Sequence, residues 1–324
     1  DKDTLDIHDS YTGILLDCGE GTVSQLYQSV GGYKPFYHAI LRQVRVIWIS
    51  HQHADHICGF PALLQAIYIA REQSSKKTNC GIVVIAPMAV LEYYEYCANI
   101  CGLEDLIESW VPLHQDNRAY KRDINGAAAP STKNNYNRKI YSDDEINEIV
   151  KSISGGSVLS LISIPVFHCY QSFGISLKVR NQYSNAPSQT NCCIDGSINN
   201  NNNSIHVVYS GDCRPSASLI QASRYCDLLI HEATFDDSLC QEAFDKRHCT
   251  VSEALQVSQR MHAKYTILTH LSQRYPVGMV ATSNNNSTAA SAFDFMRVGY
   301  PTELASLPET TTHLSTLLAS YAMF

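Results

Sequence analysis

Charged residues make up only 17% of this 324-residue chain, and the basic ones are scarcer: 24 lysines and arginines against 31 aspartates and glutamates, a net charge of −7. An acidic balance leans away from a nucleic-acid partner, although a local basic cluster can work on an acidic protein. Long apolar runs are missing. None reaches the roughly 18 residues of a membrane helix, so no membrane association is expected. The opening stretch DKDTLDIHDS has neither the apolar centre of a signal peptide nor the arginines of a transit peptide. It also lacks an initiator methionine, and the chain reads as a piece of something longer. Paired Cys-x-x-Cys motifs are absent, which argues against a cysteine-built zinc site. Cysteine itself is plentiful at 12, but scattered, and reads as reduced thiols of an intracellular protein. Hydrophobic residues, at 44%, exclude global disorder and suffice for one large α/β domain or two ordinary ones.

Patterning favours a single domain over 1–324. Gly13–Gly21 reads as a buried strand ending in a glycine turn, followed by a helix that Thr22 caps. Val44–Ser50 is a β-branched strand, and Phe60–Gln73 has helical spacing with Pro61 in its first turn. Gly81–Pro87 is a strand, and the helix after it is closed by Gly102. Further strands are expected at 157–168, 174–180, 206–212, 226–234 and 265–270, with a helix over 251–263. Polar stretches at about 115–157, 181–204 and 281–290, two of them with asparagine runs, read as surface insertions. Strand, turn and helix in alternation suggest a layered α/β fold.

The polar residues fall in telling places. Ser50-His51, His168, Asp212, His231-Glu232 and His270 all lie at C-terminal ends of expected strands, where a rigid sheet aims functional loops. The stretch WISHQHADHICGF (Trp48–Phe60) crowds three histidines and an aspartate into six residues. In an extended segment residues two apart point the same way, so His51 and His53 can chelate one ion. Asp55 and His56, on the turn into the helix, can face a second. Imidazole with carboxylate suits Zn²⁺, with Mn²⁺ or Fe²⁺ conceivable. The plainer reading is a polar helix cap with surface histidines.

SHQHADHICGF resembles the metal motif of the metallo-β-lactamase superfamily. LLDCGEGT (15–22), FHCYQSFG (167–174), YSGDCRPS (209–216), LLIHEATF (228–235), KRHCT (246–250), LTHLSQRY (268–275) and AFDFMRV near the end resemble the tRNase Z family within it, the tRNA 3′-processing endonucleases. The resemblance implies a four-layer αββα sandwich and two zinc ions. One would be held by His51, His53 and His168, the other by Asp55, His56 and His270, with Asp212 bridging. Asp55 would also serve catalysis. Asp17 would orient a ligand imidazole, although an aspartate capping the DCGEG turn is the alternative. His248 would be the general acid and Glu232 its partner, with Cys249 standing where the family usually has serine. A histidine near its ordinary pKa of about 6.5 suits proton donation. Arg214, Lys246, Arg247 and Arg274, beside these blocks, could meet phosphates. His231 reads as structural. His8, His38, His114, His206, His262 and His313 sit in no motif and read as ordinary histidines.

Two departures qualify the resemblance. The family's usual first strand and glycine loop, upstream of LLDCGEGT, are absent. So is the basic, glycine-rich arm that short forms carry between His168 and Asp212. Both fit the C-terminal half of a long form, with an N-terminal half of the same polypeptide as partner, and a nuclear or mitochondrial setting. The resemblance thus points to removal of 3′ trailers from precursor tRNA. The competing readings are another hydrolase on this fold, a phosphodiesterase or thioesterase, and a non-catalytic fragment that binds RNA or a partner.

Overall fold

In the computed structural model, residues 12–74, 81–114, 139–181, 203–272 and 289–292 are described. Strand β2 (Val44–Trp48) is buried along its whole length, as a parallel strand covered on both faces must be. Its alternation shows what covers it. Ile47 and Ile49 pack towards helices, while Val46 and Trp48 pack towards a second sheet.

The first sheet has the order β1-β2-β3-β4, with β1 at Gly13–Leu16, β3 at Ile82–Pro87 and β4 at Ile107–Leu113, all parallel. The second has six strands in the order β10-β9-β8-β7-β6-β5. These are β5 (Val158–Pro165), β6 (Phe173–Arg180), β7 (Ser204–Tyr209), β8 (Leu228–Glu232), β9 (Tyr265–Thr269) and β10 (Ala289–Ser291). β5, β6 and β7 run antiparallel in turn, and β7 to β10 run parallel.

Helices cover both outer faces. On the first sheet lie α1 (Thr22–Ser29), α2 (Lys34–Arg42), α4 (Phe60–Glu72) and α5 (Met88–Cys101). α4 contributes Phe60, Leu63, Leu64 and Ile67, and α5 contributes Leu91, Tyr94 and Ala98. Phe60 and Tyr94 stack with ring centroids 3.7 Å apart. Burying a side chain of the size of Phe60 contributes about 1.5–3 kcal/mol. Over the second sheet, α7 (Ala217–Ala222) and α9 (Val251–Met261) bring Leu219, Ile220, Val257 and Met261 against Ile164, Val208 and Leu229. Between the sheets, Val46, Trp48, Val83 and Ile85 meet Leu161, Phe173, Ile175 and Leu177. The layering is therefore αββα. No described helix is long and apolar enough to cross a membrane.

The expected boundaries hold to within a few residues, with three corrections. β1 is half-buried, not buried, because it lies at the end of its sheet among the described residues. The expected insertion at 115–157 contains α6 (Asp143–Ile153), opened by a capping box in which Ser142 and Glu145 each satisfy the other's backbone N–H. Ile146 and Val150 on α6 enter the core between the sheets. α2 and β4 are elements that the sequence reading did not assign. Residues 115–138 and 182–202, the Asn284–Asn286 run, Arg274 and nearly all of AFDFMRV lie outside the described residues.

Candidate metal centre and active site

The site begins with Asp17, just after β1. Its backbone is left-handed, with φ 61°, a conformation a non-glycine residue adopts only when its surroundings enforce it. Four donors do so. Oδ1 accepts the Ser50 N–H at 2.7 Å. Oδ2 accepts the Ser50 hydroxyl at 2.8 Å, the Tyr209 hydroxyl at 2.7 Å and the His56 Nδ1–H at 2.8 Å. None of the four comes from the Asp17–Gly21 turn, so the carboxylate mounts a histidine and does not cap the turn. Its neighbours need glycine. A Cβ on Gly19 would run into the Asp55 carbonyl, and one on Gly59 into the Gly19 carbonyl. The Asp17–Gly21 turn and the short helix α3 (Ala54–Ile57) therefore close on one another, with Cys18 N–H donating to the His56 carbonyl at 2.7 Å.

Three imidazoles converge beside this turn. His51 Nε2 lies 2.9 Å from His53 Nδ1, which lies 3.1 Å from His168 Nε2. Asp212 Oδ2 stands 3.7 Å from His51 Nε2 and 3.9 Å from His168 Nε2. The same oxygen is 3.3 Å from His56 Nε2 and 3.5 Å from His270 Nε2. Asp55 Oδ2 is 3.6 Å from each of those two nitrogens. Two groups result, His51–His53–His168–Asp212 and Asp55–His56–His270, each with ligand atoms within 4.8 Å of one another. Asp212 lies between them.

The outer nitrogen of several rings is already engaged. His168 Nδ1 meets the Arg247 carbonyl at 3.0 Å, and His56 Nδ1 meets Asp17. An acceptor on Nδ1 fixes the proton there and turns the Nε2 lone pair inward. His270 Nδ1 meets Thr234 Oγ1 at 2.8 Å, and the Thr234 hydroxyl in turn meets Glu232 Oε2 at 2.7 Å. One hydroxyl can donate to the carboxylate and accept from His270, so it orients both. His56 Nε2 is buried and faces Asp212 Oδ2 at 3.3 Å. A buried ring nitrogen aimed among converging imidazoles and carboxylates fits a metal ligand once its proton is displaced.

Without a cation at the centre, the electrostatics set its rings apart. Burial, together with the neighbouring imidazoles, pushes the His51 pKa down to about 2, so it is neutral and able to ligate. Burial would also push His56 down, but the Asp17 and Asp212 carboxylates outweigh it and hold it up to about 10. Burial would raise the Asp212 carboxyl; hydrogen bonding to His56 and the surrounding imidazoles hold it below the usual carboxylate range. His56 thus supplies in part the positive charge that the carboxylates call for.

Beside the centre, Glu232 is almost wholly buried and fully satisfied. Oε1 takes the Cys213 N–H at 2.8 Å and Oε2 takes the Cys249 N–H at 3.1 Å. His248 Nδ1 meets Oε1 at 2.8 Å. The His248 ring stacks on His270 at 5.4 Å and keeps 14% of its side chain exposed, so it reaches both the centre and solvent. His248 also falls within ligand distance of Asp212 and His270.

The basic residues have differing surroundings. Arg214 forks onto Glu253, with Nη1 at 2.7 Å from Oε2, and donates to the His248 carbonyl at 2.6 Å. Glu253 closes the capping box of α9 with Thr250, so Arg214 ties that helix to the His248 loop. Arg247 donates to the His168 carbonyl at 2.8 Å. Lys246, half exposed, lies over Phe235 and 3.7 Å from Glu242. His231 is fully buried with its Nδ1 on the Glu232 carbonyl. The sequence reading missed Tyr209, Ser50 and Thr234 as supports. All three lie inside blocks already singled out, Ser50 in SHQHADHICGF, Tyr209 in YSGDCRPS and Thr234 in LLIHEATF, but nothing local says which distant ring or carboxylate each supports.

Comparison with known proteins bears on this geometry. A mitochondrial tRNase Z of Arabidopsis thaliana is 32% identical over 329 residues, covering 94% of this chain and 33% of the relative. The chain is homologous to the ribonuclease Z proteins. A human relative named as a zinc phosphodiesterase is 28% identical and covers 95% of this chain and 32% of its own length. The chain therefore spans about a third of the length of these ribonuclease Z relatives. Among solved structures, a long-form RNase Z from yeast superposes with a TM-score of 0.67 at 23% identity, over 94% of this chain and 38% of that one. The human short-form tRNase Z gives 0.57 at 22% identity, over 89% of this chain and 88% of its own. The fold is the metallo-β-lactamase fold expected from the sequence. No family model matches the chain.

Proposed function

We propose that the site is a zinc-dependent endonuclease centre that removes 3′ trailers from precursor tRNA. It would leave a 3′-hydroxyl on the tRNA and a 5′-phosphate on the trailer. The observation that carries this reading is the Glu232–His248 pair set against the two converging ligand groups. His51, His53 and His168 would hold one zinc ion, Asp55, His56 and His270 a second, and Asp212 both; manganese or iron would suit the same donors. When bound, the metal pair supplies Lewis acidity that lowers the pKa of a water and draws in a phosphate.

The chain's own residues would do the rest. Asp55 is the exposed carboxylate of the centre, at 68% of its side chain, and so the one placed to orient an incoming water. As the water oxygen bonds to phosphorus, the bond from phosphorus to the 3′-oxygen breaks. His248 gives that oxygen its Nε2 proton while Glu232 holds Nδ1 and steadies the cation. Asp17, Thr234 and the Arg247 carbonyl keep the ligand rings in one tautomer. The names of relatives support the RNA substrate, and the plant relative's name supports a mitochondrial setting. Charge does not, which makes a partner segment that grips the RNA part of the reading.

The test is to incubate the zinc-loaded protein with a precursor tRNA carrying a 3′ trailer and to map both new ends. Cleavage at the trailer junction with a 3′-hydroxyl on the tRNA supports the reading. Hydrolysis of a thioester with no action on the RNA would replace it.

A further inference from the structure

Cys213 follows the bridging Asp212, and Cys249 follows His248. Both are fully buried, and neither side chain is used in the chemistry above. The Cys249 thiol lies 3.1 Å from the Cys213 carbonyl. Their main chains are held together from the other side, because the two N–H groups donate to the two oxygens of one carboxylate, Glu232. Two loops bearing a metal bridge and a proton donor thus meet at a pair of reduced sulfurs with no bond between them.

We propose that Cys213 and Cys249 are an oxidation site at which a small hydroperoxide forms a disulfide that switches off the active centre. The inference rests on the proposed function for the activity it controls, but not for the bond itself. Full burial bars bulky disulfides and leaves a small hydroperoxide as the oxidant. One thiol attacks the peroxide oxygen, giving a sulfenic acid and releasing water. The second thiol attacks that sulfur, the sulfur–oxygen bond breaks, and a second water leaves. In sum, two thiols lose two hydrogens and two electrons, and one hydrogen peroxide becomes two waters.

The consequence follows from position. A disulfide fixes the two sulfurs about 2 Å apart. Closing that bond pulls on both loops, and each carries a functional residue one position away. Displacing a reacting group by about 1 Å can slow turnover on the order of 100-fold.

The zinc-loaded chain is treated with hydrogen peroxide and then digested without reductant for peptide mass spectrometry. In parallel, zinc content and hydrolysis of a chromogenic phosphodiester and of precursor tRNA are followed. A Cys213–Cys249 cross-linked peptide two hydrogens lighter is expected, with zinc retained and activity down on the order of 100-fold. Dithiothreitol should restore it. In Cys249→Ser and Cys213→Ser the ratio of treated to untreated activity should stay near one, whatever the basal rate. Absence of the cross-link at a dose that oxidises the exposed Cys58, Cys101 and Cys240 overturns the proposal. So does an equal loss of activity in the serine variants, or a cross-link that leaves turnover unchanged. If neither substrate is hydrolysed before treatment, the function reading fails while the peptide map still decides whether the bond forms.

Discussion

His56 and Asp17, 39 residues apart in the chain, share a hydrogen bond of 2.8 Å that commits the histidine's Nδ1 and aims its Nε2 at Asp212. The carboxylate does this from a left-handed backbone position that four donors hold in place. A support of this kind contributes to metal affinity without touching the metal. Asp17→Ala should therefore weaken zinc binding about 10–100-fold in chelator competition. Unchanged affinity would reduce Asp17 to a turn residue.

Thr234 orients two groups through one hydroxyl. Thr234→Val keeps the shape and removes the hydroxyl, leaving His270 Nδ1 without that acceptor. Titration should then show the His270 metal site weakened about tenfold or more, with Thr234→Ser close to the parent. Equal loss in both variants would point to packing in place of orientation.

Asp212 stands between both ligand groups. Metal analysis should find close to two zinc ions per chain, and Asp212→Ala should lose at least one of them together with cleavage. One ion per chain in a folded, zinc-replete sample would sink the two-metal arrangement.

His248→Ala should slow turnover by about 10²–10⁴-fold, the usual contribution of a general acid, and leave zinc content intact. His248 lies within ligand distance of Asp212 and His270, so the outcome is informative. Loss of zinc would make it a ligand.

Lys246 and Arg214 should behave differently towards RNA. Lys246 is 54% exposed and only loosely paired, whereas Arg214 is 16% exposed and forked onto Glu253. Lys246→Ala should weaken binding and lower the slope of log K against log salt by about one if it meets a phosphate. Arg214→Lys should lower the melting temperature through loss of the fork and leave that slope alone. The reverse pattern would exchange their roles.

Much of this centre could be read before any folding was considered. The HQHADH spacing places two histidines on one side of an extended segment, whereas the close approach of the backbone at Gly19 and Gly59 shows only in the fold. Ligand-type residues at strand ends followed from hydrophobic runs that stop where they begin. α6 was missed although Ser142-x-x-Glu145 announced its start, because the surrounding asparagine and serine masked a short apolar stripe. α2 was passed over although its apolar side chains keep helical spacing behind Pro35, and β4 is a run that Glu108 and Pro112 interrupt.

The sequence by itself determined the types of ligand and their local spacing, since both depend on side-chain chemistry and on a backbone period of two. Tertiary structure alone decided which nitrogen of each ring faces inward. That choice depends on the group at the other nitrogen, and those groups come from afar: Asp17 for His56, the Arg247 carbonyl for His168, Thr234 for His270. It also decided that one carboxylate, Glu232, should hold His248 and the main chains of two cysteines at once. A hydrogen bond reaches about 3 Å, so partners that distant in sequence meet only when the elements that carry them have come together, as β1 with β2 for Asp17 and His56 and β8 with β9 for Thr234 and His270.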